Sequence, residues 1–306
     1  MRSALSVRVC VSVVSASVCA GAASAEVFTN FNLVVRQNLD STSEVEGRSA
    51  VGGNLSGPAS NYGIHLTPAA TYVNTDVLLV GGNLTGSNVN MNAGRLRLGG
   101  AQNATNVNFN GGGSLIHDAA TASIVGDLGN QMVAASSYLS NLSPDSTFSP
   151  PGSPTNVTFN ATPGADGVAV FNVSAALVFS NSNVQSLNIN LNGATSVIFN
   201  VSGSVVNFNQ GNFVGAFNTP LARASVLWNF FEASSIDLNG RAFNGALLAP
   251  SADLTFQGVC EGSVWVNSLT QRGEVHLPGY GGFIPAPASA ALMGLGGLLA
   301  ARRLRR

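Results

Sequence analysis

The feature that most constrains this chain is an alternation of period two, written repeatedly in asparagine. NVNMN at 88–92, NVNFN at 106–110, NVTFN at 156–160 and NINLN at 188–192 place apolar residues between polar ones. VIFNV at 197–201 and VVNFN at 205–209 keep the rhythm with more β-branched residues. Side chains along a strand point to opposite faces in turn, so such runs are half-buried strands, and glycines bound them. VGGNLSG at 51–57 is nearly repeated by VGGNLTG at 80–86. Further strands, SIDLNG, GALLAP, DLTFQG, GSVWVN and GEVHLPG, start at Ser235, Gly245, Asp253, Gly262 and Gly273, at short and nearly even intervals. That spacing suits a sandwich or the sides of a β-solenoid. Asparagine tips the choice to the solenoid, because equivalent amides in successive coils form hydrogen-bonded ladders. The expected fold is all-β, a right-handed parallel β-helix from Val27 to Phe283.

One segment breaks the pattern. DLGNQMVAASSYLSNL at 127–142 brings Leu128, Met132, Val133, Ala135, Ser136, Leu139 and Leu142 close to helical spacing, before a proline-rich loop at 143–154. The expectation is one α-helix packed along the strand body, covering apolar surface. Its polar face has no basic residues, which argues against a membrane-surface helix.

The two ends differ from the body. Arg2 and Arg8, an apolar stretch at 9–20 and the trio Ala23-Ser24-Ala25 form the three-part pattern of a secretory signal peptide over residues 1–25, cut by signal peptidase after Ala25. At the other end an apolar run at 288–301 precedes Arg302, Arg303, Arg305 and Arg306. As a helix it spans about 21 Å, short of the roughly 30 Å bilayer core. The arginines hold such a run on the cytoplasmic side, which makes it a transient membrane stop. Pro285-Ala286-Pro287, the apolar run and the arginine cluster resemble the PEP-CTERM sorting signal of Gram-negative bacteria, with Ala286 where that signal usually has glutamate. The resemblance implies cleavage by an exosortase, from a precursor held at the inner membrane, with the mature protein on the cell surface, in the outer envelope or in the extracellular matrix. Residues 284–306 are therefore expected to be a sorting signal and 26–283 the working domain.

Charge narrows the function. The precursor has a formal charge of −1. Without the two ends, 7 arginines face 14 acidic residues, a formal charge of −7, and lysine is absent. A nucleic-acid binder needs a basic face, so nucleic acid is excluded as a partner. Cys260 is the one cysteine of the 26–283 body, which rules out an internal disulfide; it is expected to be a small buried residue.

FNLVVRQNLDSTSEVEGRSAVGGNLSG at 31–57 resembles the opening of the choice-of-anchor A domain through Phe31-Asn32, Val45-Glu46-Gly47-Arg48, Ala50 and Gly52-Gly53. The closing pattern of that domain is matched by GALLAPSADL at 245–254, GSVWVNSL at 262–269 and GEVHLPGYGGF at 273–283. The resemblance implies an exported adhesive module, similar in architecture to the β-helix of ice-binding proteins, followed by one of several anchoring signals. The implied partner is a surface glycan or matrix component, and Glu46, Gly47, Arg48, Gly52 and Gly53 are its structural signature.

No catalytic, cofactor or metal constellation is expected. A secreted β-helical polysaccharide-degrading enzyme would need paired carboxylates, and the densest acidic group is Asp40, Glu44 and Glu46. Glu44 and Glu46 share a strand face with Arg48, and Glu46 with Arg48 is expected to be a structural ion pair. His65, His117 and His276 lack metal-ligand spacing, and DLNG at 237–240 offers too few oxygens for calcium. An ice-binding protein would show regularly spaced threonines, and no T-x-T array is present.

Overall fold

The computed structural model describes residues 26–284 apart from Ala104, 150–151 and 153–154. The expected export signal with Ala23 and Ala25 lies outside the described residues, as does the expected sorting signal with Pro285, Ala286, Pro287, Arg302, Arg303, Arg305 and Arg306.

Backbone pairing decides between sandwich and solenoid. A sandwich is built from antiparallel strands. Among the described residues the strand pairings are parallel, with the single exception of Thr147–Phe148 against Thr155–Asn160. The chain is a parallel β-solenoid with sheets of 14, 7 and 3 strands. GALLAP and DLTFQG, expected as two strands, run together as Ala246–Phe256, with a register irregularity between Ala249 and Asp253 that brackets Pro250.

The path through the large sheet is not a simple winding. The chain enters in the middle at Leu33–Val35 and steps outward through Ser49–Val51, Asp76–Val80, Arg95–Leu98 and Leu115–His117. It then restarts at the far edge with Val168–Ser174 and steps back through Ser196–Ser202, Val226–Asn229 and Ala246–Phe256 to Val264–Gln271. That last strand pairs with the first: Leu33, Val34 and Val35 sit opposite Val264, Trp265 and Val266. Two arms of the solenoid therefore meet at a central seam.

A helix makes the return possible. After the short α1, Glu26–Asn30, the long α2, Thr121–Ser140, has 20 residues, about 30 Å at ~1.5 Å each. Strands stack ~4.8 Å apart, so α2 covers about six of them. It starts ahead of the expected 127, because Asp118 organises its entry. The Asp118 carboxylate accepts from the Ala120 N–H at 2.9 Å, and the Thr121 hydroxyl donates to the Asp118 carbonyl at 2.6 Å. Thr121 and Val125 extend the buried stripe of Leu128, Met132, Ser136 and Leu139, whereas Val133 faces solvent. Among the described residues no helix is long and apolar enough to cross a membrane.

The near-repeat of VGGN marks one coil. Ala50 and Val51 sit opposite Leu79 and Val80, so the two VGGN corners stack. A Cβ on Gly81 would lie 2.5 Å from the Gly52 carbonyl oxygen, and one on Gly99 2.5 Å from that of Gly81, so a side chain has no room there. Each corner asparagine then caps the next coil. Asn38 Oδ1 accepts the Asn54 N–H, Asn54 Oδ1 that of Asn83, and Asn83 Oδ1 that of Ala101, each at 2.8 Å.

The core has two compartments. Inside the solenoid, Phe171, Phe199 and Trp228 occupy one register column and stack at 4.6 and 3.9 Å between ring centroids, both with interplanar angles of 12°. The other arm fills the same column with Leu78 and Leu96. The second compartment lies between the large sheet and the helices, where Val34, Leu79, Ile198, Leu227, Leu248 and Trp265 meet Phe28, Leu128, Met132 and Leu139. Two buried asparagines fix α2 there. Asn229 accepts from the Ser136 hydroxyl at 2.6 Å and donates to the Ser136 carbonyl at 3.0 Å and to Asn200 Oδ1 at 2.9 Å. Asn200 donates to the Leu139 carbonyl at 2.7 Å.

Candidate binding face

The seven-stranded sheet carries the polar surface that the asparagine pattern foreshadows. Its strands run in the order Asn106–Phe109, Asn88–Met91, Ala59–Tyr62, Glu44–Val45, Val275–His276, Cys260–Glu261 and Phe243–Asn244, all parallel. Alternation sends Met91, Tyr62, Val45, Val275, Cys260 and Phe243 into the core. The intervening residues point outward, except Asn244 at the last strand, which is buried.

In one outward row Asn108, Asn90, Asn61 and Glu44 stand in register. Asn108 donates to Asn90 Oδ1 at 2.9 Å, Asn106 to Asn88 Oδ1 at 3.3 Å, and Asn61 to Glu44 Oε1 at 3.4 Å. A second row holds His276 and Glu261 in register, with Glu46 beside His276, and ends at Asn244, which is buried and donates to Asn218 Oδ1 at 2.7 Å. Glu46 Oε1 lies 2.8 Å from His65 Nδ1 and 3.8 Å from His276 Nε2. His276 also faces Glu274 at 2.6 Å and Glu261 at 3.5 Å, and Arg223 pairs with Glu261 at 2.7 Å. Partial burial pulls the His276 pKa down, but the Glu274 hydrogen bond and the charges of Glu46, Glu261 and Glu274 outweigh it and hold it above the ordinary histidine value. The three-stranded sheet repeats the asparagine theme, with Ser186 donating to Asn156 and Asn190 to Asn160, both at 2.8 Å.

Of the expected signature residues, Glu46 and Gly47 lie at the seam. Glu46 Oε2 accepts the Leu277 N–H at 2.6 Å, and the Gly47 N–H donates to Asn32 Oδ1 at 3.1 Å. Asn32 in turn donates to the carbonyls of Gly262 and His276, which belong to the other arm. A Cβ on Gly47 would lie 2.7 Å from that of Asn32. Arg48 stacks over the Phe31 ring at 4.5 Å, donates to the Asp76 carbonyl at 3.0 Å, and lines a groove of about 190 Å³ with Leu79, Arg97 and Leu128. Gly52 and Gly53 form the stacked corner described above. Glu46 thus touches two histidines and the other arm, and Arg48 touches Phe31 and Asp76 among its neighbours.

The acidic trio of the sequence disperses into separate contacts. Asp40 pairs with Arg272 at 3.0 Å, Glu44 with Asn61, and Glu46 with His65. His65 and His276 converge on one carboxylate although they belong to different arms and lie far apart in sequence, and His117 lies on the last strand of the N-terminal arm. Among the described residues no group of three or more His, Cys, Asp and Glu side chains is placed to hold a metal ion. Cys260 is buried with a free thiol, and burial pushes its pKa well up, away from nucleophilic use. Arg223, Glu261 and Glu274 escaped the sequence reading. The signal available was period two: Glu261 and Glu274 alternate with buried Cys260 and Val275.

No curated protein and no solved structure matches the chain. A family model does, over residues 24–277, under the description "Putative Ice-binding-like adhesive domain". This match covers most of the sequence and agrees with the parallel solenoid: the chain belongs to the family of ice-binding-like adhesive domains.

Proposed function

We propose that this chain is an exported surface or matrix protein that adheres through the outer side of its seven-stranded sheet, without catalysis. The observation that carries the reading is the registered array of Asn108, Asn90, Asn61 and Glu44 beside the pair His276 and Glu261, on a domain of an adhesive family. Planar amides and carboxylates repeated every ~4.8 Å match the hydroxyl groups of a polymer better than a single small ligand, and the formal charge of −7 keeps nucleic acid away. A surface glycan or a matrix component is the partner this chemistry fits. Delivery follows from the termini: signal peptidase cuts after Ala25, and an exosortase recognises Pro285-Ala286-Pro287 and the arginine-ended apolar run. This is the arrangement of choice-of-anchor A proteins.

Two experiments test the proposal. Purified 26–284 is applied to an array of surface glycans and matrix proteins. Saturable binding to a subset supports adhesion, and a blank array overturns it. Mass spectrometry of the protein from an exosortase-bearing host should show a mature N-terminus at Glu26 and no peptides from 292–299. Recovery of Met1 or of those peptides removes the delivery half of the reading.

A further inference from the structure

The seven-stranded sheet crosses the seam with little backbone support. Val275 opposite Val45 is the single registered pair between the arms there, whereas Ala59–Tyr62 and Asn88–Met91 share four. Side chains carry the rest of the join. Glu46, from the N-terminal arm, accepts the Leu277 N–H of the C-terminal arm at 2.6 Å and lies 3.8 Å from His276 Nε2. His276, from the C-terminal arm, also faces Glu274 at 2.6 Å and Glu261 at 3.5 Å. The remaining charged groups around it are His65 on Glu46 and Arg223 on Glu261.

We propose that His276 is an acid-strengthened clasp between the two arms of the solenoid, closing the seam when protonated and loosening it when neutral. The imidazolium is held in its own arm by Glu274 at Nε2 and Glu261 at Nδ1, and its positive charge reaches across the seam to Glu46, 3.8 Å from Nε2. The neutral ring keeps one N–H donor and has no charge to offer Glu46. Without the proton, Glu46, Glu261 and Glu274 face one another around an uncharged ring, with Arg223 balancing only Glu261. A histidine whose folded pKa is raised stabilises fully below its unfolded value of about 6.5 and loses that contribution as pH climbs through the folded value. The direction found for His276 is upward, so the seam is tighter at mildly acid pH and looser at alkaline pH. The clasp shares His276 and Glu261 with the outer face, and it is tested on the domain alone, with no partner bound.

Hydrogen exchange read by mass spectrometry tests this on purified 26–284, with rates corrected for intrinsic pH dependence. Between pH 5.5 and 8.5, protection of the peptides covering 44–47 and 275–277 should fall about threefold, the scale of partly exposed ion pairs. Peptides covering 168–174 and 196–202, away from the seam, should hold constant. In His276→Gln the seam should show the alkaline level of protection at both pH values, and in His65→Gln most of the pH response should remain. Unchanged seam protection in the wild type, or an equal response in His276→Gln, overturns the clasp. A global loss of protection in His276→Gln would leave the wild-type comparison as the deciding result.

Discussion

Replacing Asn229 by alanine separates a polar pin from simple apolar cover under α2. Asn229 is fully buried and satisfies the Ser136 hydroxyl, the Ser136 carbonyl and Asn200 Oδ1. The carbonyl belongs to a helix and keeps its intrahelical partner, so truncation orphans two groups. Each buried orphan costs about 1–3 kcal/mol, which puts the loss at about 2–6 kcal/mol. For a domain of this size ~1 kcal/mol moves Tm by about 2–4 °C, so a fall of several to roughly 20 °C is expected in a thermal melt. Asn172 supplies the control, since it stands opposite Asn200 in the same column but is exposed. Asn172→Ala should stay within about 0.5 kcal/mol of wild type. The triple variant Asn200→Leu, Asn229→Leu, Ser136→Ala removes donors and acceptors together and should recover much of the loss. Denaturant titrations give each ΔG. A cost below about 1 kcal/mol for Asn229→Ala, or a triple variant no better than the single, refutes the pin.

Trp228→Ala removes the ring that stacks on Phe199 and should cost about 3–5 kcal/mol by urea unfolding. Gly81→Ala drives a methyl into the Gly52 carbonyl and the Ala122 backbone and should cost about 1–3 kcal/mol by the same assay. The Cys260 thiol, buried and shifted up, should resist a water-soluble maleimide in the native domain at pH 8 and react on addition of urea, as read by intact mass. Serine at Arg302, Arg303, Arg305 and Arg306 should leave the precursor unprocessed in fractionated cells while the melt of the folded domain stays unchanged.

Strands were legible in the sequence because period two survives in every asparagine run, and the corners because glycine pairs recur. The solenoid was legible because asparagines recur where equivalent amides can form ladders between coils, as Asn90 with Asn108 and Asn160 with Asn190 do. Topology was not. Nothing in the linear order says that Leu33–Val35 lands beside Val264–Gln271, since that pairing joins the two ends of the domain. The convergence of His65 and His276 on Glu46 is hidden for the same reason. The opening turns of α2 were missed because Thr121, Ile124, Val125 and Gly126 are weak helix formers, and burial of Thr121 and Val125 overrides that preference. The outward polar rows were visible as a pattern, but which asparagines lie outside and which lie under α2 depends on the helix: Asn200 and Asn229 follow the same alternation and are buried.

The account stands most directly on whether the outer side of the seven-stranded sheet binds. Equilibrium binding of 26–284 to its strongest array partner, measured beside the variant Asn61→Ala, Asn90→Ala, Asn108→Ala, isolates that face, because these side chains point outward and leave Tyr62, Met91 and Phe109 in place. The account predicts unchanged melting with at least about tenfold weaker binding, the equivalent of ~1.4 kcal/mol. Equal affinity in a variant that melts like wild type would place adhesion elsewhere on the molecule and contradict it.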